Sequence, residues 1–531
     1  MVDDLNEEIM IGFVHQTLAQ LFGEIPIKPV SPDMIPEVVV TGVAFDSRAV
    51  QPGQVFVALV GGNVDGHRYI PAAVERGAVA VVGSQPASDI NIPYIRVEDT
   101  RAALAYLSAA LYGFPGRNLN VIGVTGTDGK TTTSNLVYQI LLSAGKRAGI
   151  LSTLNAVIGN EVLDTGFHVT TPEAPDVQRY LARMVVAGLT DVVIESTSHG
   201  LAQHRVTGCE FDIGIVTNIT HEHLDYHGSY EAYRAAKARL FTSLDLTGEK
   251  QHGNPRLAVL NKDDQSYEYL KSVTAVRQVS YGIHPGADIW AEEIHQDTDG
   301  LHFNVRGSGL NLRVDSSLVG EYNVSNCLAA IAATAIGLGT PVKAIQAGIA
   351  ALHGVPGRME RIDLGQDFLA IVDFAHTPNA LRSILETSRQ LTTGRVLVVF
   401  GSAGLRDRQK RHMMAEISAQ LADVTILTAE DPRTESLDAI LAEMGDSARS
   451  HGGVEGQTYW LIPDRGEALR LAVQKAQAGD VVVACGKGHE QSMCFGEKEY
   501  AWDDRTALRA AVAERLGIDG PPMPYLPTQV E

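Results

Sequence analysis

The residues best suited to chemistry gather first in Gly123-Val124-Thr125-Gly126-Thr127-Asp128-Gly129-Lys130-Thr131-Thr132. An apolar strand pattern precedes this loop and a helical pattern follows it, the setting in which a glycine loop holds phosphate. Gly123 stands one residue too far from Gly129 for a strict GxxxxGK[ST] match, but the Gly-Lys-Thr core is intact. Gly126 and Gly129 allow backbone N–H groups to crowd a polyphosphate, with Thr127, Asp128 and Thr132 flanking it. Lys130 can neutralise phosphate oxygens, and the Thr131 hydroxyl is suited to ligating magnesium. The helix start adds the positive end of its dipole. This is nucleotide-phosphate chemistry; it does not select a reaction.

Other candidates are weaker alone. Glu195 ends an apolar run and His223 lies in HEHLD after another, where a solvated pair is the competing reading. Lys237, in EAYRAAKARLF, reads by itself as a surface lysine. Arg205 carries a rigid fork that can clamp phosphate or carboxylate. Asn323 and Asn326 stand about one helical turn apart and so share a face. Asp373 and His376 follow the run FLAIV, at the strand end where open α/β sheets collect ligand groups. Arg358 follows a Pro-Gly turn, and Lys410 lies in the charge run RDRQKR.

These residues must be positioned by a chain of 531 residues, enough for three or four domains. The 63 acidic residues against 43 basic ones give a net charge of −20, which removes a broad cationic surface for nucleic acid. Phosphate must then be held by local nests and a few placed cations. Four cysteines without a CxxC pair argue against a zinc knuckle or thioredoxin-like site. The acidic N-terminus and the absence of a long apolar run predict a cytoplasmic protein with no integral membrane segment. A monomer is expected.

Along the chain, FDSRAV at 45–50 and PGQVFVAL at 52–59 read as strand, turn, strand. Residues 100–112 read as a helix capped by Thr100, and PGRN at 115–118 breaks the chain. Strands then alternate with helices, which predicts a parallel sheet covered on both faces. Residues 282–320 read as an antiparallel appendage, and 323–339 as a helix stopped by glycine. After HGVPGRME the α/β pattern restarts. The predicted fold is α/β, divided into 1–117, 118–345 and 346–531.

TGTDGKTTT resembles the loop of the Mur ligase family, ATP-dependent enzymes that join amino acids to a peptidoglycan precursor. The likeness continues in order through FDSRAVQPGQVFVAL, TTPEAPD, ESTSHGLAQHRV, NITHEHLDYHGSYEAYRAAKARLF, GEYNVSN, VPGRME, DFAHTPNAL and GKGHE. It is of the MurE type. The resemblance implies a UDP-binding first domain, a central P-loop ATP-binding domain and a Rossmann-like C-terminal domain that binds the amino acid. It implies ATP and Mg2+, with Thr131, Glu195, His223 and a carboxylated Lys237 holding magnesium near the γ-phosphate, and Lys130, Glu195, His223 and Lys237 as the catalytic residues. Asn323, Asn326, Arg358, Asp373, His376 and Lys410 fall on nucleotide-contacting segments. Ser47, Thr170, Thr171, Ser198, Gln203 and Arg205 fall on segments that face the UDP-muramoyl dipeptide. Arg406, Asp431, Arg433, Gly486 and Glu490 fall on those that hold the incoming amino acid, Arg433 on its distal carboxylate and Glu490 on its ammonium.

The reaction so implied adds meso-diaminopimelate to UDP-N-acetylmuramoyl-L-alanyl-D-glutamate through an acyl phosphate. Two departures bear on it. Glu222 stands where the family commonly has Asp before the histidine. The family segment DNPR is here Glu430-Asp431-Pro432-Arg433, which adds a negative group beside the amino-acid pocket. That change leaves L-lysine and L-ornithine open as alternative substrates; a P-loop ATPase of another function is the more distant one.

Overall fold

The computed structural model describes residues 16–30, 35–61, 64–86, 90–163, 171–220, 222, 224–251, 253–297 and 300–528. Thr170 and His223 lie outside the described residues.

Three sheets carry the architecture. The first has four short parallel strands in chain order, Gly42–Ala44, Gln54–Val57, Ala80–Gly83 and Tyr94–Arg96. Residues 45–50 form the connection between the first two strands and not a strand of their own. Asp46 explains this: its carboxylate accepts from the backbone N–H and guanidinium of Arg48, and such local bonds favour a turn over a ladder. The helix Thr100–Leu111 backs the sheet, and its N-cap is Asp99, which accepts from Ala102 N at 2.9 Å. Thr100 is the first helical residue and not the cap. The Ala-rich helix is buried on most sides because it packs on its own sheet and also on the helix Ala174–Val186.

The second sheet has eleven strands. Its centre is parallel, with Asn120–Thr125 flanked by Ile213–Val216 and Asp191–Glu195. Every residue of Asn120–Thr125 is buried, as a strand covered on both faces requires. The expected antiparallel appendage is present as Ile289–Gln296, Leu301–Gly307 and Leu310–Ser316, and it continues the same sheet. The helix after it spans Tyr322–Ile331 and passes into a π-helical stretch, Ala332–Gly337.

The third sheet has six strands, five of them parallel, with Glu360–Ile362 as an antiparallel edge. The strands Leu369–Asp373, Val396–Phe400, Val424–Leu427 and Val481–Cys485 therefore send their following loops to one edge of the sheet. Behind them, the fully buried Arg465 pairs with the Asp504 carboxylate at 2.6 Å and donates to the carbonyls of Ala429 and Cys485. The base of two of those loops is thus tied to one guanidinium. Among the described residues, no helix is long and apolar enough to cross a membrane.

Candidate active site

The phosphate loop is held open by its neighbours. Gly126 has φ 151°, and a Cβ there would lie 1.8 Å from Thr217 Oγ1. Gly129, the N-cap of the helix Lys130–Ser143, has φ 81°, and a Cβ there would meet Asn326 Oδ1 at 2.3 Å. Only glycine fits either position. Asn218 clasps the loop: its Oδ1 accepts from Asp128 N at 2.9 Å and its Nδ2 donates to Asp128 O at 3.2 Å. Thr217 Oγ1 donates to the same carbonyl at 2.5 Å.

The charged groups of the loop turn inward. Lys130 Nζ donates to Thr127 O at 2.7 Å, and Lys237 Nζ to Gly126 O at 2.7 Å. Lys237 is 1% exposed. Burial, together with the nearby Lys130, holds its pKa well below the usual lysine range. Thr131 Oγ1 donates to Glu195 Oε1 at 3.0 Å, and Glu195 Oε2 accepts from Thr153 N at 3.0 Å. Buried Glu222 faces Lys410 Nζ at 3.8 Å and His376 Nε2 at 3.9 Å. Burial raises the carboxyl pKa values of Glu222 and Asp128. Burial, followed by Lys410, pushes the His376 pKa well below its ordinary value, and its Nδ1 lies 2.9 Å from Phe374 O, a contact that favours the Nδ1–H form.

A cleft of about 1050 Å³ opens between the second and third sheets. Asp128, Thr131, Asn323, Asn326, Arg358 and Asp373 all line it. Asn326 Nδ2 donates to Asn323 Oδ1 at 2.9 Å, so the pair shares one face as the spacing predicts. Arg358 spans the cleft, with Nη2 donating to Thr131 Oγ1 at 3.4 Å and its guanidinium carbon 4.4 Å from the centre of the Phe374 ring. Asp373 accepts from Met359 N and Ala375 N, which fixes the turn carrying Arg358.

The loop fits a magnesium–nucleotide. Its glycines leave a cradle that a Cβ would fill, and Thr131 and Glu195 present adjoining oxygen ligands. Among the described residues, no group of three or more His, Cys, Asp or Glu could hold a metal alone. Magnesium suits that arrangement, because it takes few protein ligands and completes its shell with phosphate and water.

A second group adjoins Glu195. Thr171 Oγ1 donates to Glu195 O at 3.1 Å and lies 3.1 Å from Thr197 Oγ1. Arg205 donates to Thr171 O and to Gln203 Oε1, and its guanidinium meets the Glu173 carboxylate at 2.7 Å. Gln203 Nε2 reaches Tyr226 OH at 3.0 Å. An anion arriving at Arg205 therefore has Glu173 to displace. Among the described residues, buried Ser198 Oγ has no hydrogen-bond partner. Ser47 is buried in the turn after Gly42–Ala44 and makes no hydrogen bond to the other candidates among the described residues.

The third group occupies the carboxyl edge of the third sheet. Lys487 is fully buried and pairs with Asp431 at 3.0 Å and Glu490 at 2.5 Å. Burial alone would lower its pKa, but the two carboxylates outweigh it and raise it. Burial likewise opposes the Asp431 charge, yet Lys487 and the Cys494 N–H at 3.0 Å hold its pKa below the ordinary value. The extra negative group of this loop is thus already neutralised. Beneath Gly486, buried Glu430 Oε2 has no hydrogen-bond partner among the described residues, and a Cβ on Gly486 would lie 2.2 Å from it. The Arg433 side chain, half-buried on a backbone at φ 55°, makes no hydrogen bond or ion pair among the described residues. Arg406 is exposed on the loop after Val396–Phe400.

Known families account for this geometry. Three family models match in order: the Mur ligase family catalytic domain at 39–112, the Mur ligase middle domain at 124–334, and the Mur ligase glutamate ligase domain at 357–488. A UDP-N-acetylmuramyl-tripeptide synthetase of Roseiflexus sp. (strain RS-1) is 42% identical over 518 residues, covering 96% of this chain and 100% of that one. The chain belongs to the Mur ligase family. A UDP-N-acetylmuramoyl-L-alanyl-D-glutamate--2,6-diaminopimelate ligase of Geobacillus thermodenitrificans (strain NG80-2) is 42% identical over 476 residues, 90% of this chain and 95% of that one. A solved structure of a ligase with that same name is 30% identical, with a TM-score of 0.64 over 94% of this chain and 99% of that one. As a Mur ligase of three-domain α/β architecture, the protein is an ATP-dependent acid–amino-acid ligase.

Several supports of this Mur ligase site escape sequence reasoning. Thr217 and Asn218 act on a loop some ninety residues away, through strands adjacent in the sheet. Their only signal is position, directly after an apolar strand. Lys487 sits inside a recognised motif, but nothing local reveals that it is buried between two acids.

Proposed function

We propose that this Mur ligase adds meso-2,6-diaminopimelate to the D-glutamate of UDP-N-acetylmuramoyl-L-alanyl-D-glutamate, in the cytoplasm and as a monomer, during synthesis of peptidoglycan precursors. The observation that carries the amino-acid assignment is Arg433. It is a half-buried guanidinium that makes no side-chain hydrogen bond or ion pair among the described residues, with the Asp431 carboxylate near enough to feel its charge, and a distal carboxylate would satisfy it bidentately. Lysine offers no such carboxylate and would leave the fork unpaired. Relatives named as 2,6-diaminopimelate ligases support the same reading. The neutralised Asp431 weakens the case for lysine or ornithine.

Residues 1–117 would grip the UDP end, 118–345 the nucleotide and the carboxylate to be activated, and 346–531 the amino acid. The glutamate carboxylate oxygen attacks the γ-phosphorus and ADP leaves, giving an acyl phosphate. The amine of the diamino acid then attacks the acyl carbon, a C–N bond forms, the C–O bond to phosphate breaks, and phosphate departs. Lys130 and Arg358 supply the positive charge that phosphoryl transfer needs more than a protein nucleophile. Thr131, Glu195, His223 and a carboxylated Lys237 would hold magnesium, which would supply further charge stabilisation at the phosphates. Lys237 is proposed to be carboxylated: burial lowers the pKa of its amine, which favours the neutral form that adds CO2. Excluding water from the cleft would fall to Arg358, to His376 after the strand Leu369–Asp373 and to Lys410 in the helix Arg408–Leu421.

The test supplies ATP, magnesium and the UDP-muramoyl dipeptide with meso-diaminopimelate, L-lysine or L-ornithine in separate reactions. Product mass and phosphate release are measured. Diaminopimelate product with matching phosphate is expected. No product with any diamino acid would overturn the assignment.

A further inference from the structure

Three residues outside glycine take left-handed backbone conformations around the amino-acid pocket: Leu405 at φ 57°, Asp431 at 41° and Arg433 at 55°. Such conformations are costly for residues with a Cβ and persist only where surrounding contacts enforce them. Leu405 is also 62% exposed, so its side chain gains little from packing. What enforces these turns is visible. The two loops carrying them are docked together: Gly404 N donates to Asp431 O at 2.9 Å, and a Cβ on Gly404 would lie 1.9 Å from Pro432 O. Glu435 Oε2 then captures Leu405 N at 2.8 Å.

Glu435 is in turn fixed by Arg411, whose side chain is fully buried. The contact is a two-pronged fork, Nη1 to Oε1 at 2.8 Å and Nη2 to Oε2 at 2.6 Å. Arg411 also donates to Ala403 O at 3.3 Å, in the first loop, and to Glu443 at 3.1 Å, in the helix after the second. One guanidinium thus reaches both specificity loops and the helix behind them.

We infer that the Arg411–Glu435 pair is a latch that positions Arg433 and the loop of Arg406 for the distal end of the diamino acid, and so sets amino-acid selectivity without touching the substrate. The inference rests on the proposed ligase reading. A planar fork matters here, because lysine at 411 would offer one point charge in place of two parallel hydrogen bonds.

The test compares wild type, Glu435→Gln and Arg411→Lys as full-length proteins. KM is measured for diaminopimelate, ATP and the UDP-dipeptide, together with kcat, melting temperature and the ratio of diaminopimelate to lysine use. The latch predicts a rise in KM for diaminopimelate of about tenfold or more, a falling selectivity ratio, and an ATP KM within about twofold, as expected when a pocket loses alignment away from the nucleotide. Glu435→Asp, which keeps the charge at shorter reach, should lie between; it is the fallback if the other two do not fold. A merely structural pair would lower the melting temperature and the active fraction while leaving KM and the ratio unchanged, and that result overturns the latch. If wild type makes no product with any diamino acid, the ligase reading fails instead. If wild type prefers another diamino acid, the same KM comparison is made with that one.

Discussion

The phosphate loop and the amino-acid pocket solve the problem of holding charge in opposite ways. At the loop, Lys130 and, from the helix Tyr230–Ser243, Lys237 donate to backbone carbonyls, and glycine geometry shapes the cradle. In the pocket, nearly every charge is already matched by another: Lys487 by Asp431 and Glu490, Arg411 by Glu435. Among the described residues, the Arg433 guanidinium makes no side-chain hydrogen bond or ion pair, and buried Glu430 Oε2 has no hydrogen-bond partner. On the proposed reading, the nucleotide site presents cations to a polyphosphate, whereas the pocket would select through the Arg433 guanidinium on a largely charge-balanced frame. Removing a group from the loop should abolish chemistry. Removing one from the pocket should change which amino acid is used.

The largest expected effect is on the loop side. Lys130→Ala should lower kcat/KM by on the order of 10³, read as phosphate release, because it removes charge stabilisation of the transferring phosphoryl group. Lys237→Ala should cost on the order of 10². Depleting dissolved CO2 should slow wild type but not the variant, and intact-protein mass should show one added carboxylate on wild type alone. Wild-type activity indifferent to CO2 would remove the carboxylated lysine while leaving the loop.

On the pocket side, Arg433→Ala should raise KM for diaminopimelate by about 10- to 100-fold, the value of a charge-assisted bidentate contact, and leave ATP and lysine nearly unchanged. Equal losses for every amino acid would mean a damaged loop. A pH experiment isolates the frame. The Arg411 side chain holds the Glu435 carboxyl at about 2, below its ordinary 4.5. A depressed carboxyl stabilises the fold fully above the unfolded value and loses that contribution as pH falls through the folded one. The stability difference between wild type and Glu435→Gln, from chemical denaturation, should therefore be widest above about pH 4.5 and close towards pH 2. The smallest effect is expected for Asp431→Asn, about fivefold or less in KM, since its charge is spent on Lys487 and an amide keeps the acceptor for Cys494 N. A tenfold swing towards diaminopimelate would show that this charge does reach the substrate.

The contrast also explains what was legible in the residues. The phosphate loop is written locally: Gly126, Gly129, Lys130 and Thr131 are contiguous, and a strand and a helix bracket them. The parallel core and the antiparallel appendage follow from strand patterns in the same way. Lys237 is the opposite case. Its alanine-rich helix reads as a solvated surface, and only the family resemblance gave it a role. Folding lays that helix beneath Gly126 and buries the amine. The Arg411–Glu435 fork is equally silent, because RDRQKR is indistinguishable from an ordinary charge run until two βα units pack together. Small misreadings, such as Thr100 for Asp99 as a helix cap, came from local competition between adjacent polar residues.

The most direct measurement is a competition. Wild-type protein receives ATP, magnesium, the UDP-muramoyl dipeptide and equal concentrations of meso-diaminopimelate and L-lysine, and the product masses are quantified with released phosphate. Selection by an uncommitted Arg433 predicts the diaminopimelate tripeptide as the dominant product, with one phosphate per bond formed. A dominant lysine product would contradict it.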